Sequence, residues 1–568
     1  VQAACGYVFV QRSQPGTPCF LCLFPDALHD QRVYGCAGAS IEILKTMAGV
    51  ALYAIDSLLM PRPRLWKPFM LAVSLLFYGW WDWRFVFLLL LSALVNQAFA
   101  QWIAARRRRG ARSGWALAAA VAVDLGVLGW FKYYGFFVTS VAGALGALGL
   151  NADLPLLRIV LPLGISFLTF RVLSYVIDVH RGALQPASLL DFSVYVAFFP
   201  YLAAGPIARA SEFLPQLRGP RDPRDLDTGR AFFLIFGGLA KKMLIADYLA
   251  THVVDGVFAT PGQYSSPEVL LGIVAYSVQI YCDFSAYSDI AIGVSLLLGF
   301  RLPDNFDRPY AARSVQEFWR RWHMTLSRWL RDYLYIPLGG NRRGTVRTYV
   351  NLLVTMTLGG LWHGAGWTFG FWGLLHGCAL VVEHVRLDGR RRHALIVQQQ
   401  RRALAEESEA LLRAAPPGAA VGPAAAGPAA TAVSMGSSGA SPGTVSGPPL
   451  EYDRRPWPGT WLPCLGTFVF VTFAWVFFRA DGFSAALAVL GRLFQEWGSL
   501  GAAVTPAALL AVVAGMAVHY VPRSVWERGE TGFSTLNPVA QGVLLALGFM
   551  LLDVLGPVGP SAFLYFKF

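Results

Sequence analysis

Long apolar segments recur along the chain, and they constrain its fold more than any other feature. A helix that crosses the hydrocarbon core of a bilayer needs about 20 mostly apolar residues. Segments of this character are Phe69–Trp81, Arg84–Ala100, Trp115–Trp130, Leu156–Val176, Phe192–Ile207, Ala231–Tyr248, Val269–Phe300, Tyr349–Leu361, Trp367–Val385, Trp461–Phe478, Pro506–Val521 and Val539–Val554. Because several are shorter or longer than one crossing, we expect roughly 10–13 helices, some of them re-entrant.

The chain carries too little charge for a soluble protein of its size. Charged residues make up 14% of its 568 residues, whereas a soluble domain usually has about 25%. So few charges cannot solvate the surface, and lipid must cover much of it. The sequence therefore predicts an all-α, polytopic, multi-pass integral membrane protein in contact with membrane lipids.

The formal net charge of +13 does not indicate a nucleic-acid-binding protein. The basic residues are scattered in short loops between apolar spans, as the positive-inside bias produces. The densest cluster is Arg106–Arg109 with Arg112, and we place that loop in the cytoplasm. Cys19 and Cys22 form a C-x-x-C, but no second pair has zinc-like spacing. We predict neither a nucleic-acid partner nor a metal site.

Composition divides the chain into four parts. Residues 1–43 hold four of the seven cysteines and match no signal peptide, so we expect an atypical, poorly ordered extension. Residues 44–387 form the predicted membrane-embedded body, and residues 458–568 add C-terminal helices to it. Between them, residues 388–457 form a linker, whose first part, Gly389–Arg413, is charged and helix-prone. The following stretch, Ala414–Pro449, is nearly all Ala, Gly, Pro, Ser, Thr and Val and has no aromatic residue to bury, which predicts a disordered loop.

The stretch Arg313–Leu338, RSVQEFWRRWHMTLSRWLRDYLYIPL, has the apolar spacing of one amphipathic helix. Tryptophans such as Trp322 beside arginines are typical of a membrane-interface anchor. His323 lies on the apolar stripe, where a histidine is most often a packed core residue. Within a membrane, however, ionisable groups are costly and tend to mark function. We therefore take His323 as a candidate site residue.

The following loop, Gly339–Gly344 (GGNRRG), is a tight basic turn. Glycines there supply unusual backbone angles, and Arg342 and Arg343 supply fixed positive charge. Two interpretations stay open at this point. The loop is either a positive-inside loop or a site for the phosphates of an anionic donor.

The stretch Gly359–Trp367, GGLWHGAGW, places His363 inside an apolar run. A neutral imidazole there can act as a general base, and tryptophans such as Trp362 exclude water. His376, on the next apolar segment, is a weaker candidate and is more easily explained by a packing hydrogen bond. The residue pattern alone therefore predicts His363 as the reactive group.

Polar residues interrupt the apolar segment Tyr276–Asp289, YSVQIYCDFSAYSD. Asp283 and Asp289 are suited to orient a histidine or to pair with an arginine. They are equally suited to hydrogen bonds between packed helices. No nucleotide-binding, zinc-protease or serine-hydrolase motif accompanies them in the membrane body.

These motifs, in this order, resemble the membrane-bound O-acyltransferase family, and in particular its bacterial alginate O-acetyltransferase type. The resemblance is carried by YSVQIYCDFSAYSDIAIG, NFDRPY, FWRRWHMTLSRWLRDYLYIPLGGNRRGT and LGGLWHGAGWTFGFWGLLHG. LGISFLTFRVLSYVIDVHRG, FFPYLAAGPI, WVFFRA and FLYFKF support it. Cys282, Ala286, the long linker and residues 1–43 depart from the family pattern.

The resemblance implies a ring of helices around a tunnel that crosses the bacterial inner membrane. It implies that His363 is catalytic and that His323 is a second functional histidine. The acyl donor would be acetyl-CoA, entering from the cytoplasmic side. The acceptor would be an alginate-like exopolysaccharide at the other face, reached with the help of a periplasmic partner protein.

Our hypothesis is direct acyl transfer, in which His363 accepts the proton of the acceptor hydroxyl and His323 positions a substrate. Trp322 and Trp362 would orient the substrate, and Arg342 and Arg343 would hold the CoA phosphates. Three alternatives remain open: a transporter or flippase without chemistry, an acyltransferase that acts on a lipid or a protein, and a structural scaffold.

Overall fold

The computed structural model describes residues 51–150, 154, 155, 157, 159–414, 461–498, 500–556 and 563. Helices form the regular structure of these residues, and none of them lies in a β-strand. The all-α fold class is therefore confirmed. The predicted extension, residues 1–43, and the linker from residue 415 lie outside the described residues, so those two expectations stay predictions.

The longer helices follow one another along the chain. They are α1 (Pro63–Asp82), α2 (Arg84–Arg108), α3 (Gly114–Leu128), α4 (Tyr134–Ala147), α5 (Ile165–Arg181), α6 (Leu189–Ala197), α7 (Thr228–Ala240), α8 (Ser266–Leu297), α9 (Val315–Arg321), α10 (Met324–Leu330), α11 (Thr345–His363), α12 (Trp367–Ala414), α13 (Trp461–Arg479), α14 (Phe483–Arg492), α15 (Pro506–Ala517), α16 (Arg523–Ser534) and α17 (Pro538–Leu555). Wider π-helical turns occur at Gly129–Tyr133, Lys241–Asp247, Ala250–Val254 and Arg331–Tyr335.

Five of the described helices are long and apolar enough to cross a membrane. They are α2, the continuous helix formed by α3 and α4, α8, α13 and α17. In the most apolar window of α8, 89% of the residues are buried in protein, against 6% for α17. Helix α8 is therefore a central helix, whereas α17 presents apolar side chains outward, as a lipid-facing helix does. The multi-pass membrane character predicted from the sequence is confirmed.

Two predicted spans are interrupted by proline and glycine. The segment Leu156–Val176 becomes helical only from Ile165, after Gly164, whose φ of +70° is left-handed. A Cβ at Gly164 would overlap the carbonyl oxygen of Leu202, so the chain passes too closely there for a side chain. The segment Phe192–Ile207 leaves helix α6 after Ala197 and continues through a one-turn helix. In each case the helix is therefore shorter than the apolar segment that predicted it.

Two apolar clusters fill the interior of the described chain. One packs α2, α5 and α6 and includes Trp362. The other packs the first half of α8 against α13 and α15 and includes Trp322 and Trp372. Trp362 and Trp372 both contact the ring of His363. The histidine motif therefore lies where the two clusters meet.

The chain divides by its internal contacts into two units. The larger comprises the residues up to Leu380 and those from Pro463, and the smaller is Val381–Leu462. In the smaller unit the described residues continue α12 to Ala414 as a charged helix. Every residue of the candidate site belongs to the larger unit.

Candidate active site

The segment that carries His323 is broken at the histidine. Helix α9 ends at Arg321, α10 begins at Met324, and His323 between them has a left-handed backbone with φ of +42°. The predicted continuous amphipathic helix over Arg313–Leu338 is therefore wrong. A left-handed conformation is unfavourable for a residue other than glycine, and it persists only where surrounding contacts fix it.

Two backbone hydrogen bonds hold this break against an earlier part of the chain. The N–H of Asp307 donates to the carbonyl of Arg321 at 2.9 Å, and the N–H of Met324 donates to the carbonyl of Asn305 at 2.9 Å. Helical spacing reports only the local preference of a segment, so it could not reveal these tertiary bonds. Their effect is to turn the His323 side chain into the protein interior, where it is fully buried.

Asn305 fixes the orientation of the His323 ring. The side-chain oxygen of Asn305 lies 3.0 Å from Nδ1 of His323. The same oxygen accepts from the backbone N–H and the hydroxyl of Thr325, and a backbone N–H identifies it as the acceptor end of the amide. Nδ1 of His323 must therefore carry the proton, which makes Nε2 the acceptor nitrogen of the ring. The amide nitrogen of Asn305 donates in turn to Ser288.

The tryptophans of this segment do not lie at a membrane interface. Trp319, Trp322 and Trp329 are all buried inside the protein. Trp322 stacks on Phe318 with ring centroids 5.5 Å apart and contacts Trp475 at 5.1 Å. The interpretation as an interfacial anchor is therefore wrong for these side chains. The apolar stripe faces protein, and the arginines occupy the more exposed side.

His363 is the last residue of α11, and the chain turns sharply after it. Gly364 is extended, with φ of −150°, and a Cβ there would overlap the ring of Phe369. One turn earlier, a Cβ at Gly360 would overlap the carbonyl oxygen of Phe369. The glycines of the motif thus allow α11 and α12 to approach closely and present His363 at their junction.

Two consecutive side chains bind the end of α11. Lys132 donates from Nζ to the carbonyls of Trp362 at 2.8 Å and His363 at 2.9 Å. The hydroxyl of Tyr133 donates to the carbonyl of Leu361 at 2.8 Å. The last carbonyls of a helix have no partner within the helix, so these donors satisfy three of them at the position of the histidine.

The two histidines that the sequence singled out come together. The ring centroids of His323 and His363 are 6.3 Å apart, and 4% of the His363 surface is exposed. Trp362 contacts both rings, at 5.0 Å from His363 and 6.1 Å from His323. Trp372 and Phe478 complete the wall around His363 at 5.4 and 5.3 Å. Two imidazoles in a water-poor, aromatic surrounding can exchange a proton with a bound hydroxyl.

His376 is also buried, but its contacts are those of a packing residue. The indole N–H of Trp319 donates to Nδ1 of His376 at 3.3 Å. The ring of Trp372 lies between His376 and His363, with centroids 4.8 and 5.4 Å away. These contacts support the packing interpretation of His376 given above.

Asp283 and Asp289 are bound by consecutive lysines of the π-helical turn Lys241–Asp247. Lys242 lies 2.6 Å from Asp283 and 2.7 Å from Asp247, and all three groups are buried. Lys241 lies 2.5 Å from Asp289 and also donates to Ser285. The ionic partners of these aspartates are therefore lysines rather than arginines. A role in orienting a substrate stays a prediction.

Arg342 and Arg343 lie in an exposed turn at the opposite end of α11 from His363. Gly339, Gly340 and Gly344 in this turn have φ of +115°, +55° and +88°, so the expected glycine conformations are confirmed. The rise of a helix places Thr345 about 27 Å from His363 along α11. The two arginines therefore do not join the histidine pair, although an extended donor could contact both regions.

No group of three or more His, Cys, Asp or Glu side chains with metal-site geometry occurs among the described residues. The surroundings of His323 and His363 are aromatic rings, an amide and a lysine.

Comparison with known proteins places this site in a family. Residues 75–406 match the model of the membrane-bound O-acyltransferase family, and the match includes both histidine motifs. The chain belongs to the membrane-bound O-acyltransferase family. The recognition made from the sequence motifs is therefore confirmed.

Several relatives have names that state an acyl transfer. The chain is 45% identical over 328 residues to the "Probable alginate O-acetylase AlgI" of Azotobacter vinelandii, covering 56% of this chain and 64% of that protein. It is 37% identical over 359 residues to the "Peptidoglycan O-acetyltransferase" of Helicobacter pylori, covering 58% and 66%. It is 31% identical over 245 residues to the "Teichoic acid D-alanyltransferase" of Streptococcus thermophilus, covering 40% and 58%. The matched region thus spans somewhat less than two thirds of each relative.

Three residues of this site were not predicted from the sequence. Asn305 belongs to the motif NFDRPY but was not a candidate site residue, and Lys132 and Tyr133 lie just beyond the predicted span Trp115–Trp130. A signal was present for Lys132, since a lysine within an apolar membrane segment usually has a specific partner. The partners themselves, residues 230 positions further along the chain, cannot be deduced from spacing.

Proposed function

We propose that this protein is a membrane O-acyltransferase that passes an acetyl group from a cytoplasmic thioester, acetyl-CoA, to a hydroxyl on an extracytoplasmic polysaccharide. The observation that carries the proposal is the pair of buried imidazoles, His323 and His363, 6.3 Å apart on two motifs of an acyltransferase family. We place the protein in a bacterial inner membrane, where a donor and an acceptor are available on opposite sides.

In the proposed reaction His363 acts as the general base. The acceptor hydroxyl attacks the thioester carbonyl, a C–O bond forms, and the C–S bond breaks. His363 takes the hydroxyl proton and returns it to the departing thiolate, which leaves as the free thiol. General-base assistance of this kind contributes about 10²–10⁴-fold to a rate.

His323 has the geometry of a group that positions a substrate. Because Asn305 holds Nδ1 in its protonated form, the Nε2 atom of His323 can accept a hydrogen bond from the acceptor hydroxyl or a neighbouring one. Trp362, which contacts both rings, would orient the substrate and exclude water that would hydrolyse the thioester. Trp322 stacks on Phe318 and contacts Trp475, and it would thereby support the aromatic wall around His363.

Different observations support the proposed identity of the donor and that of the acceptor. For the donor, the exposed Arg342 and Arg343 suit the phosphates of CoA, because guanidinium groups bind phosphate well. For the acceptor, the names of the alginate relatives favour an alginate-like polymer. An extracytoplasmic partner protein would complete transfer to the sugar. Alginate and peptidoglycan oligosaccharides, offered with and without extracytoplasmic proteins encoded nearby, distinguish these acceptors.

The decisive test is the replacement His363→Ala in protein reconstituted into vesicles with acetyl-CoA, alginate oligosaccharides and the extracytoplasmic proteins encoded nearby. Release of free CoA and acetylation of the sugar should both fall about 10²–10⁴-fold. His252→Ala is the matched control, because His252 is exposed and stacks on Tyr248 at 4.3 Å. Full transfer by folded His363→Ala protein would refute the proposal. A transporter without chemistry would consume no thioester even in the wild type.

A further inference from the structure

We infer that Lys132 is the positioning residue of His363: its ammonium group binds the end of α11 and thereby fixes the backbone from which the imidazole projects. The inference rests on the proposed function, since it concerns how the proposed base is held. The sequence motifs that carried the resemblance do not include this lysine, which lies in the segment GWFKYYG, residues 129–135.

The hydrogen bonds of Lys132 match the capacity of its ammonium group. Nζ has three N–H donors, and three acceptors surround it: the carbonyls of Trp362 and His363 at 2.8 and 2.9 Å, and the hydroxyl of Ser166 at 3.3 Å. A charged group within an apolar helix is unfavourable unless its hydrogen bonds are made. Here one group engages the carbonyl of the proposed base and that of its neighbour.

The charge of Lys132 suits its position. The carbonyls at the C-terminal end of a helix carry partial negative charge, and a cation there is stabilising. Helix α11 ends at His363 without further helical turns, because Gly364 is extended. A neutral donor would satisfy the carbonyls, but it would not add the attraction between the ammonium group and the end of the helix.

The helix that carries Lys132 is locally widened. The turn Gly129–Tyr133 between α3 and α4 is π-helical, and such turns often occur at functional sites. In this turn the consecutive residues Lys132 and Tyr133 bind consecutive carbonyls of α11, those of Leu361, Trp362 and His363. The widened turn therefore directs two neighbouring side chains to one helix end.

The test compares Lys132→Met with Lys132→Arg in the reconstituted acetyl-transfer assay. Misplacement of a reacting group by about 1 Å can cost about 10²-fold. We expect kcat of Lys132→Met to fall about 10–100-fold while KM for acetyl-CoA changes little. Lys132→Arg, which keeps the charge and the donors, should recover much of kcat. Tyr133→Phe should lower kcat less, since it removes one bond to Leu361.

Lys67→Met is the matched control. Lys67 is a half-buried lysine of α1 whose Nζ lies 2.5 Å from Asp191, so its loss removes an ion pair elsewhere in the same unit. Folded protein is quantified for every variant by gel filtration in detergent. If Lys132→Met does not fold, Lys132→Leu, which also removes the N–H donors, carries the comparison with Lys132→Arg.

The outcomes separate this inference from the proposed function. If kcat of folded Lys132→Met or Lys132→Leu equals that of the wild type, or if KM alone changes, Lys132 does not position His363. If instead the wild type releases no CoA, or His363→Ala remains active, the proposed function fails. Loss of kcat in Lys132→Met with recovery in Lys132→Arg supports the inference.

Discussion

The rings of His323 and His363 lie 6.3 Å apart, but the two segments that carry them hold their histidines in different ways. His323 sits between two short helices in a left-handed backbone, and its ring is fixed by the amide of Asn305. His363 ends a regular helix, and its backbone carbonyl is bound by Lys132. The first arrangement fixes one tautomer and ring orientation, which suits a group that holds a substrate. The second fixes the position of the group that we propose as the general base.

The largest of these effects is expected at Asn305, which fixes the ring of His323 but does not contact the end of α11. Asn305→Ala should lower acetyl transfer about 5–150-fold, because removing the partner of a buried polar group costs about 1–3 kcal/mol. The loss should appear mainly as weaker binding of the acceptor, measured as a higher KM for alginate oligosaccharides. The predicted losses concern the segment of His323 rather than that of His363, since the hydrogen bonds of Lys132 to the end of α11 do not involve Asn305.

Ser288→Ala is the control for Asn305→Ala. It removes the hydroxyl that accepts from the Asn305 amide nitrogen and leaves the oxygen that binds His323 in place. A small effect of Ser288→Ala beside a large effect of Asn305→Ala would locate the role in the side-chain oxygen of Asn305, which binds His323 and Thr325. Equal effects would show that the whole cluster matters only for packing.

The second prediction concerns how α11 presents His363. Gly360→Ala should destabilise the protein by about 1–3 kcal/mol, because overpacking of a close contact forces the helices apart. The added methyl would overlap the carbonyl oxygen of Phe369 and press on the backbone of Gly373. Thermal unfolding in detergent measures the loss, and acetyl transfer should fall with it as His363 is displaced.

Gly370→Ala provides the comparison on the facing helix. Its added methyl would lie 3.3 Å from the end of the Leu361 side chain, which can move aside. We expect a much smaller change in unfolding temperature than for Gly360→Ala. Equal unfolding temperatures for the two variants would mean that the close approach of α11 and α12 does not hold His363 in place.

The sequence predicted the helical membrane fold and both histidines, because apolar segments and ionisable residues within them are visible without tertiary information. It did not predict the break at His323. That break depends on a hydrogen bond that the carbonyl of Asn305 accepts from Met324 and on one that the N–H of Asp307 donates to Arg321, and a periodic pattern contains no information on distant partners. The role of Lys132 was not predicted for the same reason. The sequence shows a lysine within an apolar region, but the acceptors of that lysine are backbone carbonyls of a helix distant in sequence. The interfacial interpretation of the tryptophans failed because protein, like lipid, favours an apolar stripe.

The smallest effect on acetyl transfer is expected at the end of α11 opposite His363. The exposed turn there is the proposed binding site of the donor, not of the acceptor. Replacing Arg342 and Arg343 together by Gln should raise KM for acetyl-CoA severalfold and leave kcat unchanged. Both side chains are exposed, and an exposed ionic contact contributes only about 0.2–1 kcal/mol. Added salt should weaken the wild type toward the variant, since screening acts on exposed charges. Replacing the exposed Arg108 and Arg109 by Gln removes the same charge from another loop and should leave KM unaltered. If the two double variants behave alike, the GGNRRG turn acts through general positive charge, and the donor phosphates bind elsewhere.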